Sequence, residues 1–387
     1  MNILTLNKIA ACGTDRFGAA YTVDGEVENP DGIMVRSAAM HDMAFPDSLK
    51  AIARAGAGVN NIPVDKCSEA GIVVFNTPGA NANAVKELVV AGLLLASRRI
   101  TDGVEWCKTL AAEPDMEKLV EKNKSRFAGP ELSGKTLGVI GLGAIGVLVA
   151  NMGVALGMDV LGYDPYISVD HAWKLSRAVR HSTDFTEVLE KSDYLTLHVP
   201  LMDSTRNTID EAALRRMKPT AALLNFARGP LVDAAAVRAA LEEGRLRTYV
   251  SDFPSPELIG AKNVVVTPHL GASTPESEDN CVRMVARQID DYLKNGSIVN
   301  SCNYPNCPMG RCVVPRITVL HQNVPNVIGA ITQRLSSEGL NIENMVNQSR
   351  GALAYTVVDV SARPSEALIE SLRSLETSYR VRLLMPQ

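Results

Sequence analysis

Hydrophobic and polar positions alternate along the first 300 residues in blocks that suit strands and helices in turn. Short aliphatic and β-branched runs predict the buried strands of a parallel sheet. In the amino-terminal part these runs lie near residues 3–6, 32–35, 51–53 and 71–75. A long helix follows, with Ala84, Leu88 and Leu95 on its apolar face, and we expect the crossing to the next domain inside this helix, near Arg98. This alternation predicts an α/β domain.

A second set of alternating strands and helices follows a charged stretch at residues 113–126. Its predicted strands end near Ile140, Asp164, Pro200, Phe226, Val250 and Thr267. We expect the helix after Pro275 to return to the first domain, which otherwise lacks a closing helix. The pattern thus predicts two doubly wound parallel-sheet (Rossmann-like) domains, a discontinuous one at residues 1–97 and 276–300 and a continuous one at 98–275.

The last part of the chain has a different pattern. Residues 301–314 contain prolines, a glycine and three cysteines, and we expect a linker there. These cysteines are five residues apart, unlike the close pairs of zinc sites, so no metal is expected. Residues 315–387 follow the order βαββαβ, which predicts a small ferredoxin-like domain.

A glycine motif opens the second domain. Gly141-x-Gly143-x-x-Gly146 follows a strand and precedes a helix, a context in which glycines allow a tight turn and close approach of a pyrophosphate. The next strand ends at Asp164, at the spacing from which a carboxylate binds a ribose hydroxyl. Alone, Asp164 would fit a turn before Pro165, but the glycines favour a dinucleotide. Because a carboxylate repels a 2′-phosphate, we expect NAD rather than NADP.

Composition narrows the function further. The formal net charge is −4 and the sequence contains no long basic run, so it offers no electrostatic reason to expect nucleic acid or an anionic membrane as partner. The longest apolar stretch, residues 88–96, is too short to span a bilayer. Seven scattered cysteines do not resemble a disulfide framework, and we expect a cytoplasmic protein.

Residue types that support hydride transfer follow the later strands. Arg228 can hold a carboxylate through two parallel hydrogen bonds, and His269 can exchange a hydroxyl proton near neutral pH. Asp252 and Glu257 supply carboxylates that could orient this imidazole. Taken singly, these residues also fit a surface turn, a loop histidine and solvated carboxylates.

In the first domain, Arg36 and Ser37 follow one strand, and the glycine-rich loop 55–61 follows another. Loops at the carboxyl ends of parallel strands are where such sheets bind ligands. For Arg36, anion binding and a solvated strand-end cation are equally consistent with the sequence.

Several stretches resemble the NAD-dependent D-isomer-specific 2-hydroxyacid dehydrogenases, and they occur in the order of that family. They are residues 138–146, 192–200, 217–230 and 267–274, with Asn76–Gly79 and Ala84–Leu88 in the first domain. The resemblance covers nearly all of residues 1–300. It implies that His269 accepts the hydroxyl proton, Glu257 stabilises the charged imidazole and Arg228 binds the substrate carboxylate. Aligning on Phe253-Pro254 instead places Pro256 where the family has its glutamate.

The resemblance also assigns the binding residues. Cofactor contacts are implied for Gly141, Gly143, Ala144, Ile145, Gly146, Asp164, His198, Val199, Pro200, Phe226, Ala227, Asp252, Gly271 and Ala272. Substrate contacts are expected from Arg36, Ser37, Gly56, Gly58 and Asn81.

The carboxyl-terminal part resembles an ACT domain, a small amino-acid-sensing fold. His321, Asn323 and Asn341 match its ligand-binding turn and second strand, while Asn326 replaces the usual glycine. Asparagine tolerates positive φ, so the turn is expected to form. In family members with this domain, serine binds between two copies and inhibits. The resemblance thus implies a serine effector and a homodimer or homotetramer.

Within the family, this domain favours oxidation of 3-phosphoglycerate to 3-phosphohydroxypyruvate, at the entry to serine biosynthesis. The small phosphorylated 2-hydroxy acid is therefore the expected substrate. Two alternatives stay open: another D-2-hydroxyacid dehydrogenase or hydroxypyruvate reductase, and an NAD-responsive binding module of the same fold.

Overall fold

The computed structural model describes residues 1–7 and 9–386. The chain divides into two compact units. Unit 1 comprises residues 1–80 and 275–387, and unit 2 comprises residues 81–274. Each unit is described separately below.

The regular elements follow one another in short alternation. The strands are β1 (Asn2–Leu6), β2 (Thr22–Asp24), β3 (Gly32–Val35), β4 (Ala51–Arg54), β5 (Val73–Phe75), β6 (Thr136–Ile140), β7 (Asp159–Tyr163), β8 (Arg180–His181), β9 (Tyr194–Leu197), β10 (Ala222–Asn225), β11 (Thr248–Ser251), β12 (Val264–Val266), β13 (Arg316–Gln322), β14 (Ile342–Arg350), β15 (Leu353–Val360) and β16 (Ser378–Leu384).

The α-helices are α1 (Ala11–Thr14), α2 (Val64–Glu69), α3 (Ala82–Ser97), α4 (Ile100–Lys108), α5 (Met116–Asn123), α6 (Ala144–Ala155), α7 (Val169–Ala172), α8 (Phe185–Lys191), α9 (Glu211–Arg216), α10 (Ala234–Glu242), α11 (Pro275–Asn295), α12 (Val327–Ser337) and α13 (Glu366–Arg373). Short 3-10 helices lie at Lys124–Phe127 and Gly229–Leu231.

Unit 1 contains a parallel sheet with strand order β2-β1-β3-β4-β5. Strands β3 and β5 are buried along their whole length, as expected for a sheet covered on both faces. Helix α11 packs on this sheet through Val285 and Ile289, which join the core around Met34 and Phe75. The chain thus returns to its first domain, which confirms the predicted discontinuous fold. Strand β2 was not predicted, because it is short and Thr22 and Asp24 are exposed.

The second sheet of unit 1 is antiparallel, with strand order β14-β15-β13-β16. Helices α12 and α13 cover one face through Ile331, Leu335 and Leu372. This arrangement confirms the ferredoxin-like βαββαβ fold. The opposite face is also buried, because Leu320 and Tyr355 share a core with the parallel sheet of unit 1.

The segment between these sheets is tightly bound, unlike the linker expected at residues 301–314. Ser301 forms a bridge with Phe75 of β5. The buried Asn303 donates from Nδ2 to the Ile72 carbonyl at 2.9 Å and accepts from the Val74 amide at 3.0 Å. Tyr304 donates its hydroxyl to the Ser68 carbonyl at 2.7 Å. Buried polar side chains with several partners hold this segment against unit 1.

Unit 2 is built on a parallel sheet with strand order β12-β11-β10-β9-β6-β7-β8. From β6 the chain first adds β7 and β8 on one side of the sheet and then adds β9 to β12 on the other side. Doubly wound folds bind ligands at such a reversal of strand order. Helix α3 packs on α6, β10 and β11, and Arg247 donates to its Ala96 carbonyl at 2.7 Å. The division of the chain therefore lies before α3, whereas the predicted crossing lay inside this helix, near Arg98.

Helix α4, which lies before the charged stretch at residues 113–126, and helix α5, which lies within it, were not predicted. Every residue of both helices is at least partly exposed, so neither helix contributes a buried face. Rings of Trp106 and Phe127 contact each other there, with centroids 5.3 Å apart. Among the described residues, no helix is both long and apolar enough to cross a membrane.

Candidate functional site

The strands of unit 2 end in one register row. Ile140 pairs with Tyr163 and Leu197, Leu197 pairs with Asn225, Asn225 with Ser251, and Ser251 with Val266. Because these strands are parallel, the residues after the row all emerge at the same edge of the sheet. The candidate site residues of unit 2 therefore converge through strand pairing, although they are distant in sequence.

The glycine turn lies directly after β6. Gly141 has φ of 91°, and a Cβ atom there would lie 2.8 Å from the His198 carbonyl oxygen. A Cβ at Gly146 would lie 1.8 Å from the Gly141 oxygen, so α6 packs too closely for any side chain. At Gly143 a Cβ would meet no protein atom within 4 Å, so packing does not explain this glycine.

The start of α6 is open to an anion. Gly143 is its N-cap and makes no side-chain capping bond, and the first turn holds no acidic residue. Unpaired amide groups and the helix dipole favour negative charge here. Together with the space beside Gly143, this fits the pyrophosphate of a dinucleotide. Ala144 and Ile145 form the first turn of α6, and their contact with the cofactor stays a prediction.

Asp164 follows β7 and fixes the neighbouring loops. One carboxylate oxygen accepts the Leu142 amide at 2.8 Å, and the other accepts the Tyr166 amide at 2.8 Å. Each carboxylate oxygen can accept more than one hydrogen bond, so a ribose hydroxyl can still donate to Asp164.

His198 follows β9 and lies beside the glycine turn, together with Val199 and Pro200. Its Nε2 shares a hydrogen bond with the Thr196 hydroxyl at 3.0 Å, while the buried Nδ1 has no partner among the described residues. Burial lowers the pKa of His198 to about 3, so the ring is neutral at physiological pH. An unpaired buried nitrogen beside the glycine turn is consistent with a ligand contact.

Arg228 lies at the end of a turn after β10. Asn225 holds this turn, because its Nδ2 donates to the Arg228 carbonyl at 2.8 Å and its Oδ1 accepts the Ala227 amide at 3.2 Å. The Arg228 guanidinium is exposed, and its Nη1 donates to the Ala227 carbonyl at 2.7 Å. Phe226 is different: its ring points into the core, because a Cβ at Gly92 would lie 2.7 Å from it.

Asp252 organises the loop that carries His269. Its Oδ1 accepts the Thr267 hydroxyl at 2.6 Å and the Leu270 amide at 2.7 Å, and its Oδ2 accepts the Gly271 amide at 2.7 Å. The side chain is 1% exposed. Three donors therefore account for this buried carboxylate. The structure places Asp252 as a support of the loop, in addition to the cofactor contact expected from the sequence.

His269 has φ of 57°, an uncommon conformation for a residue other than glycine. Its amide donates to the Asp252 carbonyl at 3.1 Å, and its ring lies 4.9 Å from the Phe253 ring, centroid to centroid. A Cβ at Gly229 would lie 3.3 Å from Phe253 Cβ. Phe253 thus contacts His269 and lies close to the residue after Arg228, so the two candidate residues share one part of the edge.

Glu257 is exposed, and its carbonyl oxygen accepts Arg238 Nη1 at 2.9 Å. Among the described residues, its carboxylate has no hydrogen bond or ion pair with His269. The pairing of Glu257 with His269 stays a prediction. Ala272 lies in the same loop as His269 and accepts the Thr274 amide at 3.0 Å. Asn81 begins α3, and Val85 one turn later lies 3.4 Å from a Cβ built at Gly271.

In unit 1, two guanidinium groups share the corresponding edge of the parallel sheet. Val35 pairs with Arg54, the last residue of β4. Arg54 Nε donates to the Arg36 carbonyl at 3.1 Å, and no carboxylate pairs with Arg54 among the described residues. Burial lowers the pKa of the Arg54 guanidinium. Arg36 forms an ion pair with Glu278 of α11.

Sequence reasoning missed Arg54. A Cβ at Gly56 would lie 2.4 Å from Arg54 Nη1, and one at Gly58 would lie 3.8 Å from the same nitrogen. The guanidinium therefore lies directly beneath the predicted anion loop. Its position at a strand end before glycines was a signal of the same kind that singled out Arg36. The Ser37 amide is already used, since it donates to Asn7 Oδ1 at 3.0 Å.

The predicted regulatory residues lie at two ends of the antiparallel sheet. Gln322 pairs with Leu353 at one end, next to Asn323, whereas Ile342, next to Asn341, pairs with Val360 at the other. One chain does not bring Asn341 together with Asn323.

His321 is 2% exposed, and both its ring nitrogens are used. Nδ1 lies 2.7 Å from the Gln322 carbonyl and Nε2 lies 2.8 Å from the Thr356 hydroxyl. Asn326 has φ of 70°, so the expected turn forms with asparagine in the left-handed conformation.

Comparison with known proteins accounts for this arrangement. Residues 90–271 match the family described as D-isomer specific 2-hydroxyacid dehydrogenase, NAD binding domain. The chain belongs to this family of D-isomer specific 2-hydroxyacid dehydrogenases. Its cofactor is NAD, which confirms the cofactor prediction.

Two relatives of this chain are named D-3-phosphoglycerate dehydrogenase. The chain is 32% identical over 339 residues to the D-3-phosphoglycerate dehydrogenase of Haemophilus influenzae, covering 84% of this chain and 79% of the relative. It is 40% identical over 268 residues to that of Methanocaldococcus jannaschii, covering 68% of this chain and 49% of the relative. The chain thus spans about half the length of the latter.

Solved structures support the fold. A D-isomer specific 2-hydroxyacid dehydrogenase from Lactobacillus delbrueckii ssp. bulgaricus, complexed with NAD, superposes with a TM-score of 0.63 at 24% identity, covering 78% of this chain and 100% of that chain. The D-mandelate dehydrogenase of Rhodotorula graminis superposes with a TM-score of 0.65 at 24% identity, covering 80% and 99%.

Proposed function

We propose that this chain oxidises 3-phosphoglycerate at C2 with NAD, giving 3-phosphohydroxypyruvate, NADH and a proton. The observation that carries the proposal is the convergence of Arg228 and His269 beyond the register row that also ends in the glycine turn. The names of the relatives support the substrate, and the guanidinium pair of unit 1 supports its phosphate.

In this proposal His269 accepts the proton of the 2-hydroxyl group as the C2–O bond becomes a carbonyl. NAD, when bound at the glycine turn, would supply the acceptor for the hydride that leaves C2. The Phe253 ring restrains the imidazole from one side, and the Asp252 hydrogen bonds hold the backbone that presents it. Arg228 binds the substrate carboxylate through two parallel hydrogen bonds, which fixes C2 for transfer. Glu257 is the proposed carboxylate that stabilises the protonated imidazole.

The phosphate is assigned to Arg36 and Arg54. Both guanidiniums follow paired strands of the same sheet, and Arg54 lies beneath the glycine loop, whose amide groups can add hydrogen bonds. A guanidinium without a carboxylate partner is a strong donor to a phosphate. A dianionic group therefore fits this edge better than an uncharged hydroxymethyl group.

We further propose that the ferredoxin-like part of unit 1 is an ACT domain that responds to serine in a homodimer or homotetramer. The left-handed turn at Asn326 supports a ligand turn. The separation of Asn323 from Asn341 along the sheet supports a site completed by a second copy. The burial of His321 supports an effector contact through Asn323 and the turn backbone rather than through the imidazole.

The test is NADH oxidation with 3-phosphohydroxypyruvate beside hydroxypyruvate, with and without serine. We expect at least about tenfold higher kcat/KM for the phosphorylated substrate, because a charge-assisted contact contributes roughly 1.5–3 kcal/mol. Equal rates on both would indicate a general hydroxypyruvate reductase. Absence of turnover with either would indicate an NAD-responsive binding module.

A further inference from the structure

A cavity of about 720 Å³ is lined by residues of unit 1, none of which is assigned to substrate or cofactor. One wall is β16 of the antiparallel sheet. The opposite wall is formed by residues that precede strands of the parallel sheet, among them Asp31 before β3 and Lys50 before β4. The cavity is therefore at the amino-terminal edge of the parallel strands, opposite the edge that carries Arg36 and Arg54.

The walls approach each other closely. Gly71 precedes β5 with φ of 63°, and a Cβ there would lie 2.7 Å from Arg380 Cβ. Arg380 donates from Nη1 to the Asp47 carbonyl and from Nη2 to the Ala70 carbonyl, each at 3.0 Å. Through these hydrogen bonds the guanidinium of Arg380, which belongs to β16, reaches the opposite wall of the cavity.

The guanidiniums of this wall lack anionic partners. Arg382 is 8% exposed and donates to the carbonyls of Tyr292 at 3.1 Å and Leu293 at 2.7 Å. The Nε of Arg380 is buried and has no hydrogen-bond partner among the described residues. No carboxylate pairs with either arginine in the part of the chain that the structure describes. Burying cationic groups with neutral partners alone is costly.

Asp47 also lines the cavity and its charge acts on Arg380, so one carboxylate faces the two guanidiniums without a hydrogen bond to either. Lys50 and Asp31 form an ion pair at 2.5 Å and neutralise each other. Arg373 pairs with Glu370 at its rim. What remains is a cationic surface on β16, with the Tyr379 ring beside it.

We propose that this cavity is a binding site for a small polyanion bearing phosphate or carboxylate groups, held by Arg380 and Arg382. The ligand would connect the antiparallel sheet to the parallel sheet of unit 1. Arg382 also donates to carbonyls in the last turn of α11. A ligand bound to Arg382 would therefore contact the helix whose Glu278 pairs with Arg36. The proposal does not depend on the reaction proposed above.

The experiment is isothermal titration calorimetry of the full chain with pyrophosphate and, separately, with the tricarboxylate tricarballylate. We expect binding of at least one probe, weakened about tenfold or more in Arg380→Gln, because one charge-assisted contact contributes that much. Arg363→Gln is the matched control, an exposed arginine of the same sheet domain. The probe that binds identifies phosphate or carboxylate as the recognised group.

A second pair of variants separates this cavity from the opposite edge. Pyrophosphate bound at that edge through Arg54 is a separate event, so Arg54→Gln should leave in place the part of the binding that Arg380→Gln weakens. If Arg54→Gln removes binding and Arg380→Gln does not, or if neither probe binds the wild-type chain, the proposal is wrong.

A measurement on the wild-type chain covers the case in which Arg380→Gln does not fold. Phenylglyoxal modifies arginine side chains, and mass spectrometry locates the modified peptide. The bound probe should lower labelling of Arg380 at least about threefold and leave Arg363 unchanged. Equal labelling of Arg380 with and without the probe would contradict the site.

Discussion

The two parallel sheets carry their candidate chemistry at corresponding edges by different means. In unit 2 the edge is built from backbone shape: glycines, an uncapped helix start and a neutral histidine. Its buried carboxylate, Asp252, accepts three hydrogen bonds from the loop it supports. In unit 1 the edge carries charge, since Arg36 and Arg54 lie together with one carboxylate, Glu278. Shape thus prepares the cofactor site, whereas charge prepares the proposed phosphate site.

The largest effect is expected at the proposed proton acceptor. His269→Asn should lower kcat about 10²- to 10⁴-fold, the range typical of a lost general base. Asparagine accepts the positive φ at this position, so the loop should be kept. NADH affinity, measured by fluorescence titration, should be unchanged. His181→Asn, on the exposed strand β8, is the control, and equal losses in both variants would exclude the assigned role.

Charge at the unit 1 edge is tested next. Arg54→Gln should raise KM for 3-phosphohydroxypyruvate roughly 10- to 100-fold, because a charge-assisted contact is lost. The kcat/KM for hydroxypyruvate should change little, since that substrate lacks the phosphate. Arg16→Gln, an exposed arginine of the same unit, should affect neither substrate. A similar loss on both substrates would show that Arg54 does not select the phosphate.

The low pKa of His198 in unit 2 predicts how the free energy of unfolding changes with pH. Its pKa is about 3 in the folded chain and near 6.5 when unfolded, so the unfolded state binds the proton first as pH falls. His198 therefore contributes stability that is complete above about pH 6.5 and is lost toward pH 3. Between pH 7 and 5 the loss is up to about 2 kcal/mol.

Urea unfolding of the wild type and of His198→Gln at both pH values measures this term. The variant should show a smaller loss of unfolding free energy between pH 7 and 5. Identical pH dependence in both proteins would mean that the imidazole is not held neutral.

Two glycines of the turn after β6 distinguish a role in ligand contact from a role in packing. Gly143→Ala should weaken NADH binding about tenfold and leave the unfolding free energy within about 1 kcal/mol, because its Cβ meets no protein atom. Gly146→Ala should instead lower stability by about 1–3 kcal/mol, since its Cβ overlaps the Gly141 oxygen. Calorimetric unfolding and NADH titration of both variants give the comparison. Loss of stability in the first variant would contradict it.

The smallest effect is expected at the ion pair of unit 1. Arg36 and Glu278 are each more than 40% exposed, so the pair contributes less than about 1 kcal/mol. Glu278→Gln should release Arg36 and lower KM for the phosphorylated substrate about two- to threefold. Glu276→Gln, exposed in the same helical turn, is the control. A rise in KM would show that Glu278 positions Arg36 instead of competing for it.

Much of unit 2 could be predicted from sequence because its signals are local. The turn at Gly141, the helix start and Asp164 are close together along the chain. Arg228 and His269 stood out because each follows an apolar strand, and their meeting required only that the strands be parallel.

The missed features depend on distant partners. Asn303 bonds to residues more than 200 positions away, and nothing near it in sequence distinguishes this role from that of a linker residue. The buried ring of His321 has its hydrogen-bond partner, Thr356, on the neighbouring strand β15. Arg54 could have been noticed from its strand-end position, but its freedom from carboxylates could not. Local patterns predict elements, whereas such contacts require the fold.

Helix α11 connects the ion pair of Arg36 to arginines of the antiparallel sheet. Its 21 residues span about 31 Å. Near one end Glu278 pairs with Arg36, and at the other Arg382 and Arg316 bind the carbonyls of Tyr292, Leu293 and Asn295. A hydrogen-bonded helix resists compression along its axis, so an axial displacement at one end appears at the other. The antiparallel sheet is thus connected through a stiff helix to Arg36, the arginine proposed to bind the phosphate.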